Sequence, residues 1–347
     1  MKFFYISTGN NYPPDKHLID GLRENGHTVF ELIENDQRYG KYFRFAWRFL
    51  KSDRTCDAVI VGYGLPTIVP IVRCLHWGKV IFNAISSQYE ANIISRGTHS
   101  PLSITGIKWW IIDFASFHSS SRVLLESGAQ VDFIHKLFLV SRAKLVKSWM
   151  GIDEEVFFSD PKIKKSDKFT VLFRGRFLPE SGILTVIEAA KKLEGADVKF
   201  LIIGHGFMYR EVNALMDDLK PKNIEMVHER LSNDELRTRM LECHISLGQL
   251  ADHPRLSRTL PCKLFESLAL GLPYLTARNA GVFELLKEDE TCFAVPSNDP
   301  ALLAEKILFL KKNPGLLETV AEKGNMLYRE KLTSKQLANE VVENCFK

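Results

Sequence analysis

Short apolar runs alternate with helical patterns along the first half of the chain. KFFYIS precedes a helical pattern at DKHLIDGLRENG, and HTVFELI precedes a longer segment that reaches Arg54. DAVIVGYG precedes TIVPIVRCLHWG, after which KVIFNAIS follows. Strands that read as continuous apolar runs are buried on both faces, and alternation with helices makes the sheet parallel. The rhythm restarts at FTVLFRGR and runs through GILTVIEAAKKLEG, VKFLIIGHG, FMYREVNALMDDL, NIEMVH, SNDELRTRMLEC, HISLGQ, PCKLFESLALG and PYLTA to a helix expected at GVFELLKE. Gly151, Pro161 and the charge run in MGIDEEVFFSDPKIKKSDK mark a linker between the two series. The prediction is an α/β chain of two tandem doubly wound, Rossmann-like domains facing a cleft, residues 1–155 and 156–330. Residues 331–347, with LTSKQLANEVVENCF, form one more helix that can cross back to the first domain.

Length agrees with this division, since 347 residues exceed what one hydrophobic core usually supports. A 45% hydrophobic and 25% charged composition is that of an ordinary soluble enzyme. The net charge of +4 is too weak for a nucleic-acid partner and compatible with an anionic ligand or membrane surface. Six cysteines are scattered without metal-ligand spacing and read as reduced thiols of a cytoplasmic protein. The opening MKFFYISTGNNYPP is too short in apolar residues for a signal-peptide core. The apolar stretch Ala58 to Val72 is broken by Gly62, Gly64, Pro66 and Pro70, so no spanning helix is expected.

Open parallel sheets bind ligands at the carboxyl ends of their strands, so candidate chemistry is sought in the loops that follow. In FRGRFLPESG, Gly175 permits close backbone approach, and Arg176 is either a phosphate-gripping guanidinium or a solvated strand end. In RTLPCKLFESLALGLPYLT, Pro261 reads as a first-turn residue, so a helix N-terminus with free N–H groups lies near Arg258 and Thr259. Lys263 falls in the first turn. Glu266, one turn on, is either a dipole-favoured helix-start acid or an acceptor for two ribose hydroxyls. Gly204 and Gly206 close a strand in IIGHG, but Tyr209 and Arg210 break the full dinucleotide fingerprint, which counts against a nicotinamide dehydrogenase. Gly9, Asn10 and Asn11 make the corresponding turn after the first strand, expected to face the cleft on the acceptor side, with Gly9 otherwise a plain turn residue. In KYFRFAWRFLKSDR, Lys41, Arg44, Arg48 and Lys51 recur at helical spacing among aromatic residues that include Trp47. That is the pattern of an interfacial membrane helix, or of an amphipathic helix packed on the first sheet. Trp109 and Trp110 beside Lys108 could extend such a patch.

FRGRFLPESGILTVIEAAKKL, FLIIGHG and PCKLFESLALGLPYLTARNAGVFELL, in this order and spacing, resemble the C-terminal half of group 1 glycosyltransferases, the family 4 of retaining GT-B enzymes. The resemblance is clear from Asp167 to Leu310 and otherwise reaches only GLRENGHTV and MGIDEEVF. It implies a metal-independent hexosyltransferase with no cofactor beyond its nucleotide diphosphate sugar co-substrate. The first domain would bind a glycan or lipid-linked acceptor and the second the donor, with Arg176 on the diphosphate and Glu266 on the ribose. The chain departs from the family in two places: Ser181 stands where a lysine is usual and Arg258 where a glutamate is usual. Arg258 or Lys263 is therefore expected to supply the second cation, with Arg174 structural. No D-x-D sits at a strand end. An exposed aromatic and basic patch would imply a lipid-linked acceptor and a peripheral protein on the inner membrane face. The competing readings are a nucleotide-sugar epimerase using His205 and His244, and a non-enzymatic nucleotide-sugar binder.

Overall fold

The structure, a computed structural model, describes residues 1–9 and 12–347. It divides into two compact units, Met1–Asp153 with Leu332–Lys347, and Glu154–Lys331. The first contains strands β1 (Lys2–Ser7), β2 (Thr28–Ile33), β3 (Ala58–Val61), β4 (Lys79–Ile85), β5 (Arg122–Leu125) and β6 (Leu145–Lys147). They pair in parallel in the order β2-β1-β3-β4-β5-β6. Around them lie helices α1 (Pro13–Glu24), α2 (Lys41–Lys51), α3 (Ile68–Leu75), α4 (Ile104–Ser119) and α5 (Gly128–Phe138). Val59 and Val61 of β3 enter one core with Phe45, Phe49 and Phe117, while Ala58 and Ile60 enter another with Leu18 and Leu22. This two-sided burial is what makes the strand a continuous apolar run.

The second unit contains β7 (Phe169–Arg174), β8 (Val198–Ile203), β9 (Ile224–Val227), β10 (Ile245–Leu247), β11 (Tyr274–Ala277) and β12 (Phe293–Val295). These strands are also parallel, in the order β12-β11-β10-β7-β8-β9. Its helices are α6 (Ile183–Lys192), α7 (Tyr209–Leu219), α8 (Asn233–Leu241), α9 (Cys262–Leu270), α10 (Pro300–Lys311) and α11 (Pro314–Lys331). The helix expected at GVFELLKE is only a 3-10 turn, Val282–Glu284. Val282 and Leu286 are buried while Phe283 and Glu284 are exposed, and one turn suffices for that.

The last helix, α12 (Ser334–Phe346), belongs to the first unit and packs on α1. A capping box of Thr333 and Gln336 starts it. Gly21 of α1 lets the helices meet, because a Cβ there would lie 1.9 Å from the Ser334 carbonyl oxygen. Asn25 Nδ2 donates to the Lys335 carbonyl at 2.7 Å. In the second unit, the Tyr328 hydroxyl near the end donates to Glu154 Oε1 at the start, at 2.8 Å.

Candidate active site

In the second sheet β7 leads outward through β8 to β9, and β10 leads the other way through β11 to β12. The order reverses between β7 and β10, so the crevice at their carboxyl ends is where a ligand is expected. Strand β7 stops at Arg174, and Gly175, at φ 142°, turns the chain in a conformation that side chains rarely tolerate. A Cβ on Gly175 would also stand 3.2 Å from Cε of Lys263.

Lys263 comes up beneath this turn from the first turn of α9, only 7% exposed. Pro261 is the N-cap of that helix rather than a residue within its first turn, and it makes no side-chain cap hydrogen bond. The Lys263 amine lies 3.8 Å from the Phe173 ring centroid and 3.5 Å from the Gly248 carbonyl oxygen. Burial lowers its pKa to about 7, with Glu266 pulling upward and Arg174 downward. Cation, helix N-terminus and glycine turn thus converge on one point.

Glu266 follows one turn later, buried, and its carboxylate is ion-paired with Nη1 of Arg174. The Arg174 guanidinium lies 5.2 Å over the Phe157 ring. Arg174 is therefore structural in a specific sense: it fixes the carboxylate at the crevice. Arg176 is exposed on the loop after β7. Arg258 is half-buried at the close of the turn Pro254–Ser257, with Nη1 3.3 Å from Ser257 Oγ, and Thr259 beside it is buried. Its neighbour Arg255 pairs with buried Glu180 at 2.8 Å. Ser181 is buried too, its carbonyl accepting from the Leu250 N–H at 3.2 Å in the loop after β10.

Gly204 and Gly206 nest the loop after β8 against the loop after β7. A Cβ on Gly204 would lie 2.0 Å from the Gly175 oxygen, and one on Gly206 2.7 Å from the Phe177 nitrogen. His205 stacks on Tyr209 at 4.3 Å, with His228 edge-on to both. His244 does not follow a strand: it precedes β10, where its Nδ1 accepts from the Thr170 N–H at 3.1 Å. The two histidines thus stand at opposite ends of the sheet and form no acid/base pair.

In the first unit, Gly9 has φ 72° and leaves room for Ile33, whose Cγ2 would be 2.5 Å from a Cβ there. Asn10 and Asn11 lie outside the described residues. Helix α2 buries Phe45 and Phe49 and exposes Phe43 (85%) and Trp47 (61%). Arg44 pairs with Asp36 at 2.6 Å and Arg48 with Glu34 at 3.2 Å, so both arginines anchor the segment before the helix. The Lys51 amine lies 4.3 Å over the Trp47 ring, and that of Lys41 5.2 Å over Tyr42. An apolar stripe unnoticed in the sequence, Ile104, Ile107 and Ile111 of α4, is also exposed. No helix among the described residues is long and apolar enough to cross a membrane.

Two parallel six-stranded sheets, each flanked by helices, with a candidate phosphate site where the second reverses its strand order, define the GT-B class. The family described as glycosyl transferases group 1 matches residues 155–326, and the chain belongs to that family through its second unit. An uncharacterised glycosyltransferase of Methanocaldococcus jannaschii is 27% identical over 174 residues, 50% of this chain and 46% of the relative. The amylovoran biosynthesis glycosyltransferase AmsK of Erwinia amylovora is 24% identical over 183 residues, 51% of this chain and 45% of the relative. The chain thus spans about half the length of the curated relatives it matches. HepE of Anabaena, solved in complex with UDP and glucose, superimposes with a TM-score of 0.76 over 99% of this chain and 98% of its own, at 14% identity. That likeness is one of fold.

Proposed function

We propose that the protein is a retaining, metal-independent hexosyltransferase that moves a sugar from a nucleotide diphosphate sugar to a glycan or lipid-linked acceptor. The observation that carries this is the buried Lys263 amine under the Gly175 turn, at the α9 N-terminus and the strand-order reversal. A diphosphate suits that place because Lys263, Arg176, Arg258 and the positive end of the α9 dipole oppose its charge. Arg176, exposed on its loop, reaches for the outer oxygens, while Lys263, Arg258 and the helix N-terminus near Thr259 neutralise the departing phosphate. Gly175, Gly204 and Gly206 keep the surrounding backbone close. Glu266, oriented by Arg174, accepts from the two ribose hydroxyls.

In transfer, the bond between the sugar's anomeric carbon and the diphosphate oxygen breaks. The acceptor oxygen forms its new bond on the face being vacated, and its proton passes to the released phosphate. HepE, the fold relative, has also been solved with UDP-glucose, which supports a uridine nucleotide as the first donor to try. A thermal-shift screen of UDP-, GDP- and ADP-sugars identifies the donor. Product anomeric configuration by NMR and turnover in chelator then test retention and metal independence. Inversion, or loss of turnover in chelator, would contradict the corresponding part.

The exposed faces of α2 and α4 support peripheral attachment to an anionic membrane on the cytoplasmic side, with Lys41 and Lys51 near the lipid headgroups and Trp47 and Phe43 at the interface. Arg44 and Arg48, engaged with Asp36 and Glu34, brace the helix there.

A further inference from the structure

Open parallel sheets bind ligands where their strands end, yet the opposite rim of the first sheet, where β3 to β6 begin, gathers cations. Arg54 precedes β3, Arg73 lies in the last turn of α3, Lys79 and Arg122 open β4 and β5, and Lys144 precedes β6. Neighbouring strands lie about 4.8 Å apart, so the starts of β4, β5 and β6 fall within about 10 Å. Each cation is anchored on a backbone carbonyl. Arg54 Nη1 donates to Leu75 at 2.8 Å, Arg73 Nη1 to Gly78 at 2.9 Å and Lys144 Nζ to His118 at 2.9 Å. Lys79 Nζ donates to Cys345 at 2.6 Å and Arg122 Nη1 to Ser121 at 3.2 Å. Among the described residues none of the five is ion-paired with a carboxylate. Arg54, Arg73 and Lys144 also crowd the turn His76–Gly78 between α3 and β4. Burial, with Arg54 and Arg73 beside it, lowers the pKa of His76, and burial with Arg73 lowers that of Lys144.

We propose that Arg54, Arg73 and Lys144 form a second anion site, one that takes a phosphate monoester, whether free in solution or as a lipid headgroup. A helix dipole favours a cation at its C-terminus, which accounts for Arg73 on α3 and Lys144 on α4 taken singly. It does not account for three half-buried cations held together against their mutual repulsion with no acid to offset them. Each guanidinium uses Nη1 for its carbonyl, which leaves further N–H donors in the fixed fork for an oxyanion. A phosphate monoester carries nearly two negative charges at pH 7 and three strong acceptor oxygens, enough to engage all three cations. A carboxylate, with one charge and two oxygens, is not. Trp77, 89% exposed in the same turn, would lie at the interface if the phosphate is a headgroup. The site belongs to the first unit and does not depend on the transferase reading, whose donor crevice lies in the second.

Phosphorus NMR of glycerol 3-phosphate with the full chain tests the free form, at an ionic strength held constant with chloride. The wild type should broaden the phosphate line. Arg73→Gln and Lys144→Gln should each weaken binding roughly tenfold or more, the size of one charge-assisted hydrogen bond. Lys263→Met, which removes the second unit's buried cation, should leave the broadening in place. Melting temperatures near that of the wild type show the variants folded, and glycerol 3-phosphate should raise the melting temperature of the wild type but not of Arg73→Gln or Lys144→Gln. Sedimentation with phosphatidylcholine vesicles tests the lipid form, phosphatidic acid being compared with phosphatidylglycerol at equal surface charge. Excess retention on phosphatidic acid that is lost in Arg73→Gln assigns a headgroup, whereas broadening without that excess assigns a soluble phosphate. Absence of both effects, or their persistence in Arg73→Gln and Lys144→Gln, overturns the proposal. So does broadening that disappears only in Lys263→Met.

Discussion

Lys263 is buried against Phe173, and its pKa near 7 leaves about nine-tenths of its amines neutral at pH 8 in the free protein. A diphosphate placed beside it favours the ammonium form, so donor binding should draw a proton from solution. The expected uptake is roughly 0.9 proton per donor at pH 8, about 0.5 at pH 7 and about 0.1 at pH 6. Affinity should weaken by up to about tenfold per pH unit above 7, until the amine also titrates in the complex. Calorimetry of UDP-glucose in buffers of different ionisation enthalpy reads the proton count directly, because the two phosphate diesters carry no titrating proton in this range. Lys263→Met should abolish the buffer dependence. Folding is linked with the opposite sign: the folded state holds fewer protons than the unfolded chain between pH 7 and the lysine's ordinary value near 10.4, so stability rises with pH across that window. Lys263→Met should accordingly stabilise the free protein at pH 7, by something on the order of a few kcal/mol, while weakening the donor. Heats at pH 8 that do not depend on the buffer would refute the reasoning.

Glu266→Ala should weaken UDP-sugar binding by about 1.5 to 3 kcal/mol and also lower the melting temperature, because it strands Arg174 at the crevice; calorimetry and thermal melts separate the two effects. Arg176→Ala, on an exposed loop, should leave the melting temperature nearly unchanged, and a double-mutant cycle with Arg258→Ala should show coupling of about 0.5 to 3 kcal/mol in kcat/KM, with strict additivity contradicting a shared diphosphate. Gly204→Ala should yield little folded protein in expression trials, since its Cβ would stand 2.0 Å from the Gly175 oxygen. Phe43→Ser with Trp47→Ser should release the protein from anionic vesicles in sedimentation, whereas equal pelleting of variant and wild type would confine those rings to an ordinary protein surface.

The doubly wound rhythm was legible because strands buried on both faces must be apolar throughout, as AVIV in β3 is. Strand β12 has three residues, too few to show any period, and GVFELLKE meets helical spacing with a single turn. Lys263, Glu266 and Arg258 could be picked out because they flank one helix start. The Arg174 to Glu266 pair could not, since it joins positions 92 residues apart and no local pattern links them. The burial of Lys263 left a faint sign, a cation in the first turn of a helix, where the dipole disfavours it. The meeting of Arg54, Arg73 and Lys144 gave no sign at all, because it depends on the sheet order that brings their strands together.

Because α12 returns to α1, the second unit is an insertion within the first, entered at Glu154 and left at Lys331. Its two ends are held together by Tyr328 and Glu154. A ribosome therefore releases a complete second unit before the first can finish, and the first must wait for α12 to emerge. Joining α12 to α1 would mean closing a loop of the whole intervening chain if that chain were unfolded. A folded insert with adjacent ends reduces it to a short connection, so order of synthesis and ease of closure agree. Residues 154–331 should accordingly be able to fold when expressed alone, whereas residues 1–153 without α12 would leave Leu18, Leu22 and Gly21 uncovered.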